Sequence, residues 1–157
     1  MADNTLTFVV NASPLISLER IGQLTLLPQL LPLIYMPTAV RQEVFGPRPC
    51  PTWLLERPIT QPLSSFIMSP RLGPGEREAI VLAIELQPCH VILDDLAARR
   101  TALSMNLTVV GTVGLLITAR QRHLLPALKP HLDQLRQVDF HIAEALYTFA
   151  LQQVGEA

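Results

Sequence analysis

The chain has 157 residues, which suits one domain with a core of ordinary size. Hydrophobic residues make up 49% and charged residues 16%, a composition that excludes an intrinsically disordered chain. The 12 Lys+Arg and 13 Asp+Glu give a net charge of -1, so nucleic acid can be bound only through a local patch. Two cysteines, Cys50 and Cys89, do not make a secreted disulfide framework, and we expect reduced thiols.

No segment predicts a signal peptide or a membrane span. The first residues carry no basic region. The most apolar stretch, residues 24–36, is shorter than a bilayer requires and is interrupted by Pro28 and Pro32. We therefore expect a soluble, cytoplasmic protein that makes no membrane contact.

Short apolar runs alternate with helical patterns along most of the chain. Residues 7–10 predict a buried strand, followed by a helix with Ser13 as its N-cap and Pro14 as its first helical residue. Further strands are predicted at 33–36, 90–93 and 107–110. Helices are predicted at about 23–31, 38–45, 76–87, 96–105 and 113–123, with two more in the tail.

Residues 46–74 are rich in proline, which breaks regular elements. We expect a surface excursion there, with a short helical turn near Trp53 and an edge strand near residues 66–68. The whole chain, 1–157, is predicted to be a single domain with a C-terminal helical extension from about residue 126. Because short apolar strands alternate with helices, the fold class is α/β, with three α/β/α layers around a mostly parallel sheet.

Polar side chains follow three of the predicted strands. They are Asn11 with Ser13, Asp94 with Asp95, and Gly111 with Thr112. Ligands of parallel sheets bind outside the carboxyl ends of the strands, so these ends share one edge if the strands are neighbours. Adjacent carboxylates there favour Mg²⁺ or Mn²⁺ over zinc.

Other charged residues could reach the same edge, and each has an alternative structural role. Glu76 and Glu78 lie in the first turn of a predicted helix, where the helix dipole alone favours acids. Glu43 could belong to a solvated helix face, and Asp95 could cap the helix that follows it. Arg99 and Arg100 could contact a phosphate backbone, but any Arg-rich surface shows the same pattern.

Four segments in this order resemble the PIN-like domain family, over nearly the whole chain. They are Val9-Val10-Asn11-Ala12-Ser13-Pro14-Leu15-Ile16, Gly73-Pro74-Gly75-Glu76-Arg77-Glu78-Ala79-Ile80, Ile92-Leu93-Asp94-Asp95-Leu96-Ala97-Ala98-Arg99 and Val110-Gly111-Thr112-Val113-Gly114-Leu115-Leu116. The resemblance is closest to a poorly characterised prokaryotic branch, related to the toxin ribonucleases of toxin–antitoxin pairs. It implies a three-layer fold and Mg²⁺- or Mn²⁺-dependent cleavage of single-stranded RNA.

The resemblance also implies a set of site residues. The acids of the family fall on Asn11, Glu43, Glu78 and Asp95, with Asp94 as a neighbour. Ser13, Thr112, Arg99 and Arg100 would bind the substrate. PIN nucleases usually carry Asp where this chain has Asn11, and an amide oxygen brings no negative charge to a cation.

Three functional hypotheses follow from the sequence. The first is a metal-dependent ribonuclease, with RNA as partner and an antitoxin-like small protein as a further one. The second is a catalytically degenerate module that binds nucleic acid or protein, as Asn11 suggests. The third is a small-molecule or nucleotide binder, although no P-loop or dinucleotide fingerprint is present. The high apolar share also predicts a homo-oligomer, with a homodimer as the simplest form.

Overall fold

The computed structural model describes residues 5–62 and 69–157, which form five strands and eight helices. The strands are β1 (Thr7–Val10), β2 (Leu33–Met36), β3 (Leu54–Glu56), β4 (Cys89–Ile92) and β5 (Thr108–Val110). The helices are α1 (Ala12–Arg20), α2 (Leu26–Leu30), α3 (Thr38–Val44), α4 (Pro74–Glu85), α5 (Leu96–Ser104), α6 (Thr112–Gln121), α7 (Lys129–Gln137) and α8 (Glu144–Gln153). In this described part no helix is long and apolar enough to cross a membrane.

The five strands pair in parallel in the order β3-β2-β1-β4-β5. β1 is therefore central, and β4 lies beside it on one side and β2 on the other. The ladder continues past the strand ends, because the Asn11 N–H donates to the Ile92 carbonyl at 3.1 Å and the Leu93 N–H to the Val110 carbonyl at 2.9 Å. The carboxyl ends of β1, β4 and β5 thus meet at one edge of the sheet.

Two apolar layers cover the two faces of the sheet, as alternate side chains of each strand require. Phe8, Val10 and Ile92 point into a core shared with α1, α2, α6, α7 and α8. Val9 and Val91 point the other way, into a core built with α4 and α5. This arrangement confirms the predicted α/β fold with three layers.

The structure differs from the sequence prediction at the start of α1. Asn11, not Ser13, is the N-cap residue, and Pro14 lies inside the first turn. The Asn11 side chain makes no capping hydrogen bond, while the Ser13 hydroxyl points to Asp94. The expected cap geometry was wrong because a tertiary contact competes for the Ser13 hydroxyl.

The proline-rich segment contains a strand that the sequence did not predict. A turn at Thr52 and Trp53 leads into β3, which pairs with β2 at the edge of the sheet. Pro51 and Pro58 flank this strand without interrupting its three residues, and an edge strand tolerates such neighbours. The edge strand expected near residues 66–68 lies outside the described residues.

Candidate functional site

Asp94 joins three chain segments at the carboxyl edge of the sheet. Its Oδ1 accepts from the Thr112 N–H at 2.8 Å, and its Oδ2 accepts from the Thr112 hydroxyl at 2.6 Å. The Ser13 hydroxyl donates to the same Oδ2 at 3.5 Å. Burial raises the pKa of Asp94, although the bonds from Thr112, nearby Arg99 and Ser13 oppose that rise. Asp94 therefore holds the ends of β1, β4 and β5 together and has little acceptor capacity left.

Asn11 presents an unpaired oxygen at the same edge. The residue is only 4% exposed, and its Oδ1 is buried without a hydrogen-bond partner. Gly75 lies opposite, in the first turn of α4. A Cβ atom placed on Gly75 would lie 3.3 Å from Asn11 Oδ1 and 3.1 Å from Glu43 Oε2. The amide oxygen of Asn11, directly after β1, and the Glu43 carboxylate of α3 thus converge over a residue without a side chain, beside a Val40 methyl group at 3.2 Å from the same point.

Glu76 brings a second carboxylate to this group. Its Oε1 accepts from the Gly73 N–H at 2.9 Å, which satisfies a donor at the start of α4, while Oε2 is buried without a partner. The pKa of Glu76 is raised, first by burial and then by the Asp95 and Glu43 carboxylates, against the bond from Gly73. The carboxylates of Glu43 and Asp95 are therefore close enough to Glu76 for their charges to act on it, although the three acids belong to three different helices.

Asp95 has a structural contact of its own. Its Oδ2 accepts from the Ala98 N–H at 2.9 Å, so it is the N-cap of α5, as one interpretation of the sequence held. The carboxylate is close enough to Glu76 for its charge to raise the pKa of that group. Asp95 and Asp94 are neighbours in sequence, but only Asp94 is bonded to β5.

Glu78 does not join the acidic group. Its Oε1 accepts from the Ala39 N–H at 3.1 Å and so caps the start of α3, whose own N-cap is Pro37. Glu78 is also absent from the lining of the groove described below. The expected role of Glu78 as a metal ligand does not fit this geometry, in which Glu76 lies where Glu78 was expected.

The helix pattern in the sequence does not distinguish the two glutamates. Two residues apart on a helix, Glu76 and Glu78 point in nearly opposite directions. Buried residues nevertheless follow both of them at spacings of three and four: Ala79 and Ile80 after Glu76, and Val81 and Leu82 after Glu78. Only the tertiary contact of Glu78 with the Ala39 N–H separates the roles of the two acids.

The two arginines predicted to bind substrate have other positions. Arg99 Nη1 donates to the Leu93 carbonyl at 2.8 Å and lies against Gly111, where an added Cβ would meet it at 2.8 Å. Arg100 is exposed on α5 and does not line the groove. Thr112 is fully buried and bonded to Asp94, so it positions that carboxylate and does not face the groove.

A groove of about 1160 Å³ runs over this edge of the sheet. Its lining includes four of the acids together with Asn11 and Ser13: Glu43, Glu76, Asp94 and Asp95. It also includes Arg20 of α1 and the segment between α7 and α8, with Asp139, Phe140 and His141. Arg20, Phe140 and His141 were missed from the sequence, because they come together only in the folded chain, where Arg20 Nη1 donates to the Val138 carbonyl at 3.5 Å.

The oxygen donors fit a hard cation that keeps part of its water shell. Across residues 5–62 and 69–157, no three His, Cys, Asp or Glu side chains converge tightly enough to enclose an ion. Mg²⁺, however, is commonly bound through one or two carboxylates with waters in its other positions. The unpaired Asn11 Oδ1 and Glu76 Oε2, with Glu43 Oε2 over Gly75, provide such a partial set.

Comparison with known proteins agrees with this geometry. A family model described as a PIN domain matches residues 7–156, which span all thirteen elements of the described structure. A search of curated proteins gave no match. Because the family model covers nearly the whole chain, the protein belongs to the PIN domain family.

Proposed function

We propose that this PIN domain is a metal-dependent nuclease that cleaves single-stranded RNA. PIN domains generally bind nucleic acid and use divalent metals. The observation that carries the proposal is the convergence of Asn11 Oδ1 and Glu43 Oε2 over Gly75, beside the unpaired Oε2 of Glu76. Buried oxygens without donors are costly to leave unpaired, and a cation satisfies them together.

The proposed ligands are Glu43, Glu76, Asp95 and Asn11, and Mg²⁺ or Mn²⁺ is the proposed ion. When bound, the ion activates water and neutralises charge on the phosphoryl group. Asp94 holds the strand ends in register through Thr112 and Ser13, so it acts on the site by fixing its shape. Glu43, exposed near the end of α3, is free to adjust its position toward an ion.

Metal-dependent cleavage of an end-labelled, unstructured RNA tests the proposal. Wild type is compared with Asp95→Asn and Glu43→Gln, and with Glu19→Gln as a control. Asn still caps α5, and Glu19 is an exposed acid of α1 outside the groove. We expect Mn²⁺-dependent cleavage by wild type and Glu19→Gln and a loss of at least about 100-fold in the other two. Cleavage by none of the four proteins contradicts the nuclease function, and equal cleavage by all four contradicts the proposed site.

A second candidate function is a binding module whose site has lost catalysis. Asn11 favours it, because an amide supplies an oxygen to a cation but no charge. Thermal unfolding with millimolar Mn²⁺ separates the two candidates. The nuclease requires a rise in melting temperature with metal, since a ligand of the native state stabilises it by mass action. The module requires metal-independent RNA binding without that rise.

Two further proposals concern the protein partners of this domain. A small antitoxin-like protein would inhibit the nuclease by covering the groove, so adding it to the wild type would abolish cleavage. Self-association is the other proposal, and exposed Leu96 and Leu103 on α5 leave apolar surface for it. Sedimentation equilibrium measures the mass of the particle and decides between a monomer and a homodimer.

A further inference from the structure

One part of the groove lining, the connection between α7 and α8, is held in place by hydrogen bonds. Phe140 and His141 lie in the connection between α7 and α8. The Phe140 N–H donates to the Leu135 carbonyl at 3.0 Å, and Arg136 Nη2 donates to the Ile142 carbonyl at 2.9 Å. These bonds fix the backbone on both sides of His141, so the two rings are presented by a defined conformation.

The two rings differ in how much of their surface is available. Phe140 is half-buried and packs in part against the main core, while His141 is exposed. Both residues line the groove, and both also line a second hollow of about 520 Å³, where Arg136 and Glu144 contribute. The pair therefore belongs to the lining of both concave surfaces, which share these residues.

Electrostatics alone does not hold a polyanion in this groove. Among its lining residues are five carboxylates and one guanidinium, Arg20. A groove that binds single strands by charge shows the opposite balance. Even with a divalent cation at the acids, the rest of the groove needs another source of affinity, and the rings of Phe140 and His141, next to Asp139, provide one that does not depend on net charge.

We propose that Phe140 and His141 form a nucleobase subsite of the groove. A base of the bound strand stacks on the exposed part of the Phe140 ring, and the His141 imidazole contacts the same base. Stacking on aromatic rings is how proteins hold unpaired bases with little dependence on sequence. This inference rests on the proposed nuclease function, because the base would belong to the same strand whose phosphate lies at the acids.

The experiment measures binding of a labelled, unstructured RNA by fluorescence anisotropy, with Ca²⁺ in place of Mn²⁺ and with the recovered RNA checked for intactness. A second probe has the same sugar–phosphate chain without bases. The variants are Phe140→Leu, which keeps an apolar side chain against the core, and His141→Ala. Phe149→Leu is the control, because Phe149 is 51% exposed on α8 and lies outside the groove.

We expect Phe140→Leu to weaken binding of intact RNA by about tenfold, the effect of losing one base stack, and His141→Ala to weaken it by a smaller factor. Binding of the base-free chain should not change, and Phe149→Leu should match wild type with both probes. A structural defect would weaken both probes equally, and that result overturns the subsite. Variants that bind intact RNA as wild type does overturn it as well.

The two proposals fail in different ways. If wild type cleaves RNA with Mn²⁺ while the Phe140 and His141 variants bind both probes normally, only the subsite is wrong. If wild type neither cleaves nor binds RNA with any divalent metal, the nuclease function is wrong, and the subsite falls with it.

Discussion

Replacing Asn11 by Asp restores the carboxylate that PIN nucleases usually carry at this position. In Asn11→Asp the new charge would lie where the amide oxygen now faces Glu43 over Gly75, with Glu76 nearby. Without metal, this substitution should destabilise the protein, since it buries a like charge beside two others. With metal, the same charge should strengthen the site. We therefore expect Asn11→Asp to weaken the protein without metal and to strengthen the site with metal.

The magnitude of the loss has an upper bound. Two carboxylates about 4 Å apart repel each other by about 4 kcal/mol at an effective dielectric constant of about 20. Protonation of the new Asp sets a limit on this loss of stability. Neutral pH lies about three pKa units above the reference pKa of Asp, so keeping the group protonated there also costs about 4 kcal/mol. We expect the free energy of unfolding to fall by about 2–4 kcal/mol in EDTA.

Urea unfolding in EDTA and in Mn²⁺ measures both effects. The control is Asn106→Asp, which adds one negative charge at an exposed position where a positive φ of 62° already suits Asn or Asp. Asn11→Asp should bind Mn²⁺ at least about tenfold more tightly than wild type, because ligand charge sets the affinity for hard cations. The reasoning is refuted if Asn11→Asp matches Asn106→Asp in both solutions, since no cation-sized gap would then face residue 11.

Three further substitutions test the neighbours of this site. Gly75→Ala should change the free energy of unfolding by less than about 1 kcal/mol, because the helix preference of Ala offsets the crowding of its Cβ against Glu43 and Asn11. It should also reduce the Mn²⁺-induced rise in melting temperature, and an undiminished rise would contradict the convergence of oxygens over Gly75. Glu78→Ala should lower the free energy of unfolding in urea by about 1 kcal/mol, because it removes the acceptor for the Ala39 N–H, and Glu78→Gln should lower it by less. The Mn²⁺ affinity should be unchanged in both variants. Weaker metal binding by Glu78→Gln would show that Glu78 is a ligand after all. Thr112→Val should lower the free energy of unfolding by about 1.5–3 kcal/mol and Thr112→Ser by clearly less, since only Val removes the hydroxyl bonded to Asp94.

The sheet and most of its helices could be predicted because each element depends on local patterns. Runs such as residues 33–36 are short, apolar and followed by helix signals, and the structure places β2 at Leu33–Met36. β3 could not be predicted in the same way. Its three residues carry no alternation long enough to detect, and it is a strand only because β2 offers it an unpaired edge.

The site was predictable in position but not in detail. Neighbouring parallel strands place Asn11 and Asp94 at one edge, as their location after β1 and β4 implied. Which oxygens remain free depends on competing hydrogen bonds. The Thr112 hydroxyl donates a hydrogen bond to Asp94, and the Ala39 N–H donates one to Glu78. Both donors are distant in sequence from the acid that they bind. No spacing rule along the chain reports such contacts.

The burial of the unpaired oxygens bears on the choice between the two candidate functions. Asn11 Oδ1 and Glu76 Oε2 are closed to solvent, and an unsatisfied buried acceptor costs about 1–3 kcal/mol. A donor from RNA or from a partner protein could reach them only if the cleft opened, because both atoms are closed to solvent. A cation takes several oxygen ligands at once, and the flexible side chain of Glu43, which ends over Gly75, can contribute one of them. The positions of these oxygens therefore favour a metal-dependent site over a module that binds without metal.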